Sequence, residues 1–371
     1  MIPINKRLNL KEKKEYVLKV NRCMDTDQWN KFEQSIQYIY ADIMTHEYGL
    51  YNDLQANSIL WKKEVGKDYI IYSWMTLEYS LLERIKNYID KNYIKPSLNN
   101  YNSILKKYKY RELQGYCDLL KRQKYSYYKH NNVSVELHKP NNYDRIHSIF
   151  AEYIKVYGEF YKEKINWWII DKTNVKVCPY CNLAYTYNRK EKVTAQLDHF
   201  FSKSEYPMFS LCYYNLIPSC PACNHIKLDN NKKMSSPYEK NAFENVEITW
   251  KLFGSNSPDT KTLKELCNEI EINIKSNKEA DINNITIMKI DEAYNCHKDY
   301  ASEIIKRIQT YLNEDSKKLI QSIAFKNVIS DDEIERFYFG TYLDETKDTD
   351  RILSKIVRDF TKQYKKMKKS N

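Results

Sequence analysis

Trp74, Leu77, Leu81, Ile85 and Tyr88 recur at steps of three and four through residues 73–96. That spacing gathers apolar side chains on one face of a helix, and Pro96 ends the run. Ile146, Phe150, Tyr153, Tyr157 and Phe160 repeat the pattern up to the Trp167–Trp168 pair, and Ile304, Ile308, Leu312, Leu319 and Ile323 return to it within 291–326. Each stripe predicts an amphipathic helix that buries its apolar side. The pattern changes after the turn-rich Asp171–Asn174. Residues 183–188 (LAYTYN) and 193–197 (VTAQL) favour extended chain and flank a charged turn at 189–192, which predicts a short hairpin or pair of strands. Residues 246–252 and 270–274 predict further short strands, 253–259 a loop, and the lysine-rich end KKMKKSN a frayed tail. The fold class expected is α+β: a mainly helical protein with a small inserted β-containing module. Its parts are a helical N-terminal domain (1–171), the module (172–233) and a mainly helical C-terminal region (234–371).

Composition narrows the function. Only six glycines occur among 371 residues, and no two are close enough to write GxGxxG or GxxxxGK[ST]. Dinucleotide and nucleotide-triphosphate loops, which need clustered glycines to let backbone approach phosphate, are therefore excluded. The formal charge of +11 is uneven, with both ends and the middle basic and 234–350 acidic. Such a balance favours a polyanionic partner, although surface charge for solubility gives the same sign. No apolar run is long enough to cross a bilayer, and the first residues carry no secretory apolar segment, so no membrane association and a cytoplasmic location are expected.

Nine cysteines are present, and four of them form two CxxC dyads, Cys178-Pro-Tyr-Cys181 and Cys220-Pro-Ala-Cys223. A two-residue spacer turns both thiolates of a dyad to one side, and two dyads complete a tetrahedron of soft ligands. A structural zinc ion is expected, with no open coordination position. A redox CxxC is the rival for either dyad alone, but neither lies in a βαβ pattern. The 38 residues between the dyads exceed the roughly 15–20 of a bare zinc ribbon.

The insert contains Gln196-Leu-Asp198-His199-Phe-Phe-Ser-Lys-Ser-Glu-Tyr-Pro207 and Tyr214-Asn215-Leu-Ile-Pro218, and runs on into Cys223-Asn224-His225-Ile-Lys227. This string resembles the HNH, or ββα-metal, nuclease family over residues 175–230, although many members carry proline where Ser202 stands. The wider string is similar to HNH proteins of bacterial phage-defence operons, the Septu-type and retron-associated effectors. The resemblance implies a ββα-metal module and a magnesium- or manganese-dependent endonuclease, with DNA the expected substrate. It also implies His199 as general base, Asp198 and Asn224 as ligands of the catalytic ion, and Asn215 orienting His199 through backbone or ring. Adjacent His225 is the alternative ligand to Asn224. An antiviral effector lacking a nucleotide loop would take its control from a partner such as an ATPase.

The chemistry agrees with these residue types. Phosphodiester hydrolysis needs an activated water and a cation to neutralise developing charge. Histidine is a neutral acceptor near its ordinary pKa of about 6.5, and hard divalent ions prefer oxygen donors. Lys227, one helical turn after Asn224, and Lys203 are candidate phosphate contacts. So are Lys106, Lys107, Lys109 and Arg111, which open a stretch where basic residues interleave with tyrosines. The same stretch also reads as a helix with wet lysines and inward tyrosines. Two other functions stay open: a non-catalytic zinc-dependent nucleic-acid or protein adaptor, and a nuclease of the same kind that cuts RNA.

Overall fold

The computed structural model describes residues 1–92, 127–130, 133–136, 150–189, 192–230, 232–254, 257–324 and 330–370. Lys106, Lys107, Lys109, Arg111 and Ile146 lie outside the described residues. The chain forms two compact units that interleave in sequence. One comprises 8–165 and 199–216; the other comprises 1–7, 166–198 and 217–371. This division differs from a linear partition at 171 and 233, because the stretch between the dyads contributes to both units.

The first unit is mainly helical. It opens with α1 (Leu10–Asn21) and α2 (Thr26–His46), followed by α3 (Tyr48–Val65), α4 (Tyr69–Met75) and α5 (Tyr79–Asn92). Asn9 with Glu12, and Asp25 with Gln28, start the first two helices as reciprocal capping boxes that satisfy exposed N–H groups. The single helix expected over 73–96 is broken. The Thr76 hydroxyl donates back to the Tyr72 carbonyl at 2.6 Å where α4 stops, and α5 begins three residues on. The buried row of α5 is consequently Leu82, Ile85, Tyr88 and Ile89, with Leu81 half-buried. Strands β1 (Tyr127–His130) and β2 (Val133–Glu136) form an antiparallel hairpin, and α6 (Tyr153–Glu159) carries the second stripe. Phe150, Tyr153 and Phe160 of that stripe are buried, with Phe32 against Phe150 and Tyr153 at ring separations of 5.7 and 4.6 Å.

Residues 199–216 are held by side chains of this unit. The Trp74 indole N–H donates to the Met208 carbonyl at 2.9 Å, the Tyr16 hydroxyl to Leu211 at 2.8 Å, and the Tyr206 hydroxyl to Asp90 at 2.6 Å. Tyr79 stacks on Phe201 and meets Phe200 edge-on. Aromatic rings with a polar tip suit this task, since they fill the core and still fix a backbone by hydrogen bond.

The second unit takes up all but the first residue of α7 (Ile165–Thr173). Strand β3 (Gln196–His199) pairs with β4 (Leu216–Ser219), and α8 (Pro221–Lys227) follows at once. Then come β5 (Glu247–Leu252), α9 (Leu263–Glu269), β6 (Ile270–Lys275), α10 (Glu279–Ile287), α11 (Ile290–Asn295), α12 (Lys298–Tyr311), α13 (Glu314–Ala324), α14 (Asp331–Phe339) and α15 (Ser354–Ser370). The strands expected at 246–252 and 270–274 are present and pair antiparallel from Glu247↔Lys275 to Leu252↔Ile270. Helix α15 covers the outer edge of β5. Asp359 and Gln363, one turn apart, accept the Ile248 and Trp250 N–H groups at 3.0 and 2.9 Å, as a neighbouring strand would.

Three expectations need correction here. Residues 183–188 do not pair as a strand with 193–197: the charged turn does close, Arg189 and Lys192 exchanging N–H···O bonds at 2.8 and 2.9 Å, but the backbone before it closes on the preceding segment. Cys178 N–H donates to Ala184 at 2.8 Å and Thr186 N–H to Lys176 at 2.9 Å. Leu319 is 58 % exposed on α13, so the apolar row of 291–326 is not continuous, and that stretch is divided into three helices. The lysine-rich end is helical to Ser370 rather than frayed, tied down by Tyr364 and Lys368 on Asp259. Among the described residues no helix is long and apolar enough to cross a membrane.

Candidate functional site

The two dyads come together as a buried four-cysteine cluster. In the first, Asn182 N–H donates to Cys178 O at 2.8 Å, closing the turn, and Leu183 N–H points at the Cys181 sulfur at 3.3 Å. Asn182 has a left-handed backbone, φ 58°, and its buried side chain is held on four sides by residues 348–355. In the second, Cys220 is the N-cap of α8, Pro221 takes the first helical position, and Cys223 N–H points at the Cys220 sulfur at 3.4 Å. The four sulfurs lie within 4.8 Å of one another, with Cys181 and Cys220 4.0 Å apart. A zinc ion with sulfurs at about 2.3 Å needs edges of about 3.8 Å, so the donor set fits this metal. Burial pushes the Cys178 thiol up, while hydrogen bonds from Cys178, Cys181 and Cys223 pull Cys220 down. Four crowded sulfurs thus share their protons, and a divalent cation would allow all of them to be thiolates.

Both dyads also reach Asp198. Tyr180, inside the first CxxC turn, donates its hydroxyl to Asp198 Oδ2 at 2.6 Å. Lys227, at the end of the helix that Cys220 caps, places its ammonium 3.0 Å from Oδ1. All three side chains are buried, Asp198 to 3 % and Lys227 to 2 % exposure. The pairing follows from two periodicities. Residues 224 and 227 share one face of α8, and residues 196 and 198 share one face of β3. Lys227 meets Asp198, and the Asn224 amide donates to Gln196 Oε1 at 2.6 Å on the next rung.

His199 is 8 % exposed in the helical unit. Its Nε2 lies 3.1 Å from the Ser210 carbonyl, which can only accept, so Nε2 carries a proton in this contact. The Tyr157 ring meets the imidazole edge-on at 4.5 Å. Asn215 is fully buried and pins the backbone that follows His199. Its Oδ1 accepts Phe201 N–H at 2.8 Å, its Nδ2 donates to Phe201 and Phe209 carbonyls at 3.1 Å, and its own carbonyl accepts Phe200 N–H.

The other expected residues fall as follows. Asn224 is half-buried and faces β3, whereas His225 is exposed. Lys203 is half-buried with its ammonium 5.3 Å from the centre of the Tyr157 ring. Lys227 is not at the surface where a phosphate contact was expected, since the buried carboxylate of Asp198 draws it inward. Tyr180 was missed by sequence reasoning; the available signal was a tyrosine in the turn of a metal dyad, where a small residue would serve the turn equally well. Comparison with known proteins found no matching family model, no matching curated protein and no matching solved structure.

Proposed function

We propose that this protein is a metal-dependent endonuclease that hydrolyses DNA phosphodiester bonds, with His199 as general base and Asp198 and Asn224 as ligands of a magnesium or manganese ion. The observation that carries the reading is a buried carboxylate gripped from both cysteine dyads and already bearing a cationic group at Oδ1. The Lys227 ammonium is a stand-in for the ion, and a carboxylate beside an amide suits a hard divalent cation. The order strand, long loop, strand, short helix, with a dyad at the start of that helix, supports the ββα-metal resemblance.

When bound, the ion would supply charge neutralisation at the scissile phosphate and at the departing oxygen. The chain's own residues do the rest. Ser210 O holds the His199 ring through Nε2–H, which orients the imidazole for its role as base. Asn215 stiffens the strand end from which His199 projects. Tyr180 holds Oδ2 of Asp198, which limits how that carboxylate turns. Zinc in the cysteine cluster would keep Tyr180 and Lys227 in place and take no part in the hydrolysis. The resemblance extends the reading to a phage-defence effector controlled by a partner.

The test is nicking of supercoiled plasmid by the zinc-loaded chain with magnesium or manganese. Cleavage that EDTA and His199→Ala both abolish is the expected result. Turnover by His199→Ala at the parental rate would refute the assigned base, cleavage of transfer RNA with plasmid intact would select the RNA reading, and binding without turnover would select the adaptor.

A further inference from the structure

We infer that Lys227 is a built-in competitor for the divalent cation at Asp198, so that ion uptake requires its ammonium to leave the carboxylate. The inference rests on the reading of Asp198 as an ion ligand. It goes beyond that reading by giving a role to a side chain that would otherwise count as a phosphate contact.

Three observations carry it. First, the ammonium lies 3.0 Å from Oδ1, with side-chain exposures of only 1 % for Lys227 and 4 % for Asp198. In so dry a site two cations cannot share one carboxylate oxygen without strong repulsion, because little water screens them. Second, Tyr180 already occupies Oδ2. A divalent ion that binds Oδ1 therefore approaches on the side Lys227 fills, while the Oδ2 edge is already engaged by a buried hydroxyl. Third, Lys227 is the last residue of α8, and its successor Leu228 has φ 44° and is 64 % exposed. The helix stops there, the chain turns outward, and a four-carbon stem can carry the ammonium into water without unwinding a turn.

The arrangement has a physical logic. A lone buried carboxylate is costly, and Lys227 compensates Asp198 whenever no ion is present. The carboxylate thus stays paired and aimed, while weak ions are held off.

The experiment titrates Mn2+ into the zinc-loaded full chain without nucleic acid, followed by calorimetry and by loss of the free Mn2+ paramagnetic signal. Lys227→Met keeps the length and removes the charge, and is expected to tighten Mn2+ binding by about tenfold or more. Lys227→Arg keeps the charge and should bind no more tightly than the parent, and Asp198→Asn should lose binding in either background. Unchanged or weaker binding in Lys227→Met, with zinc content and near-ultraviolet dichroism intact, would overturn the inference, as would absence of Mn2+ binding in every variant. If Lys227→Met sheds zinc, Lys227→Gln carries the same comparison, since it is neutral yet still donates to Oδ1. A tenfold shift in Mn2+ affinity without plasmid cleavage by any variant would leave this inference standing and refute the nuclease reading.

Discussion

The cysteine cluster and the Asp198 pocket belong to the same unit and share the same supporting residues, yet they are built on opposite principles. In the cluster, four identical soft donors converge within 4.8 Å of one another, and each dyad is shaped by its own short turn. At Asp198, a carboxylate on a strand is already satisfied by two unlike side chains, one from a turn and one from a helix. The first arrangement is unfinished without a cation; the second is complete with an ammonium in place. A site of the first kind gains stability from its metal, whereas one of the second kind exchanges one charge for another and so can be tuned.

Breaking the first region should have the largest effect. Cys220→Ser, or zinc removal by a strong chelator, is expected to abolish cooperative thermal unfolding of the chain, since structural zinc contributes on the order of 10 kcal/mol or more in small modules. Melting by circular dichroism together with zinc release to a chromogenic chelator measures this; a cluster that loses zinc with no change in melting would show that the turns hold themselves. Next in size, His199→Ala should lower turnover by about a hundredfold to ten-thousandfold while zinc content stays at the parental value, measured by plasmid nicking.

Lys227→Ala sharpens the comparison further. Without divalent ions it should cost about 3–5 kcal/mol in urea denaturation, because Asp198 is left buried and unpaired. Millimolar manganese should recover more stability in this variant than in the parent. Tyr180→Phe removes one donor to a charged acceptor and should cost about 1.5–3 kcal/mol in the same assay, with zinc stoichiometry unchanged. The smallest effect is expected for Asn224→Ala. Its hydrogen bond to Gln196 is exposed and should be worth about 1 kcal/mol or less, so a large loss of manganese affinity with little loss of stability would separate ligand from scaffold.

Legibility from sequence followed the range of the interactions involved. The dyads, the Asp198–His199 pair and the face shared by Asn224 and Lys227 were all readable, because each depends on spacing within one turn of chain. The strands at 247–252 and 270–275 were readable from alternation, since each has one face to bury. The strand pairing expected between 183–188 and 193–197 failed because local extended preference does not choose a partner. Cys178 and Lys176 captured the first segment, and Leu216–Ser219 captured the second strand. The break at Thr76 was equally hidden, since apolar spacing continues across it.

Taken alone, the amino-acid sequence determined which donors exist and which of them sit close along the chain: four thiols, one carboxylate, one imidazole and one amide in a fixed order. Only the tertiary structure decided that Tyr180 and Lys227 close on Asp198 and that His199 donates to Ser210. Local spacing is set by covalent geometry, which is the same in every protein. The partner of a buried charge is set by whatever the rest of the fold brings within 3 Å, and that depends on every other residue that had to be buried at the same time.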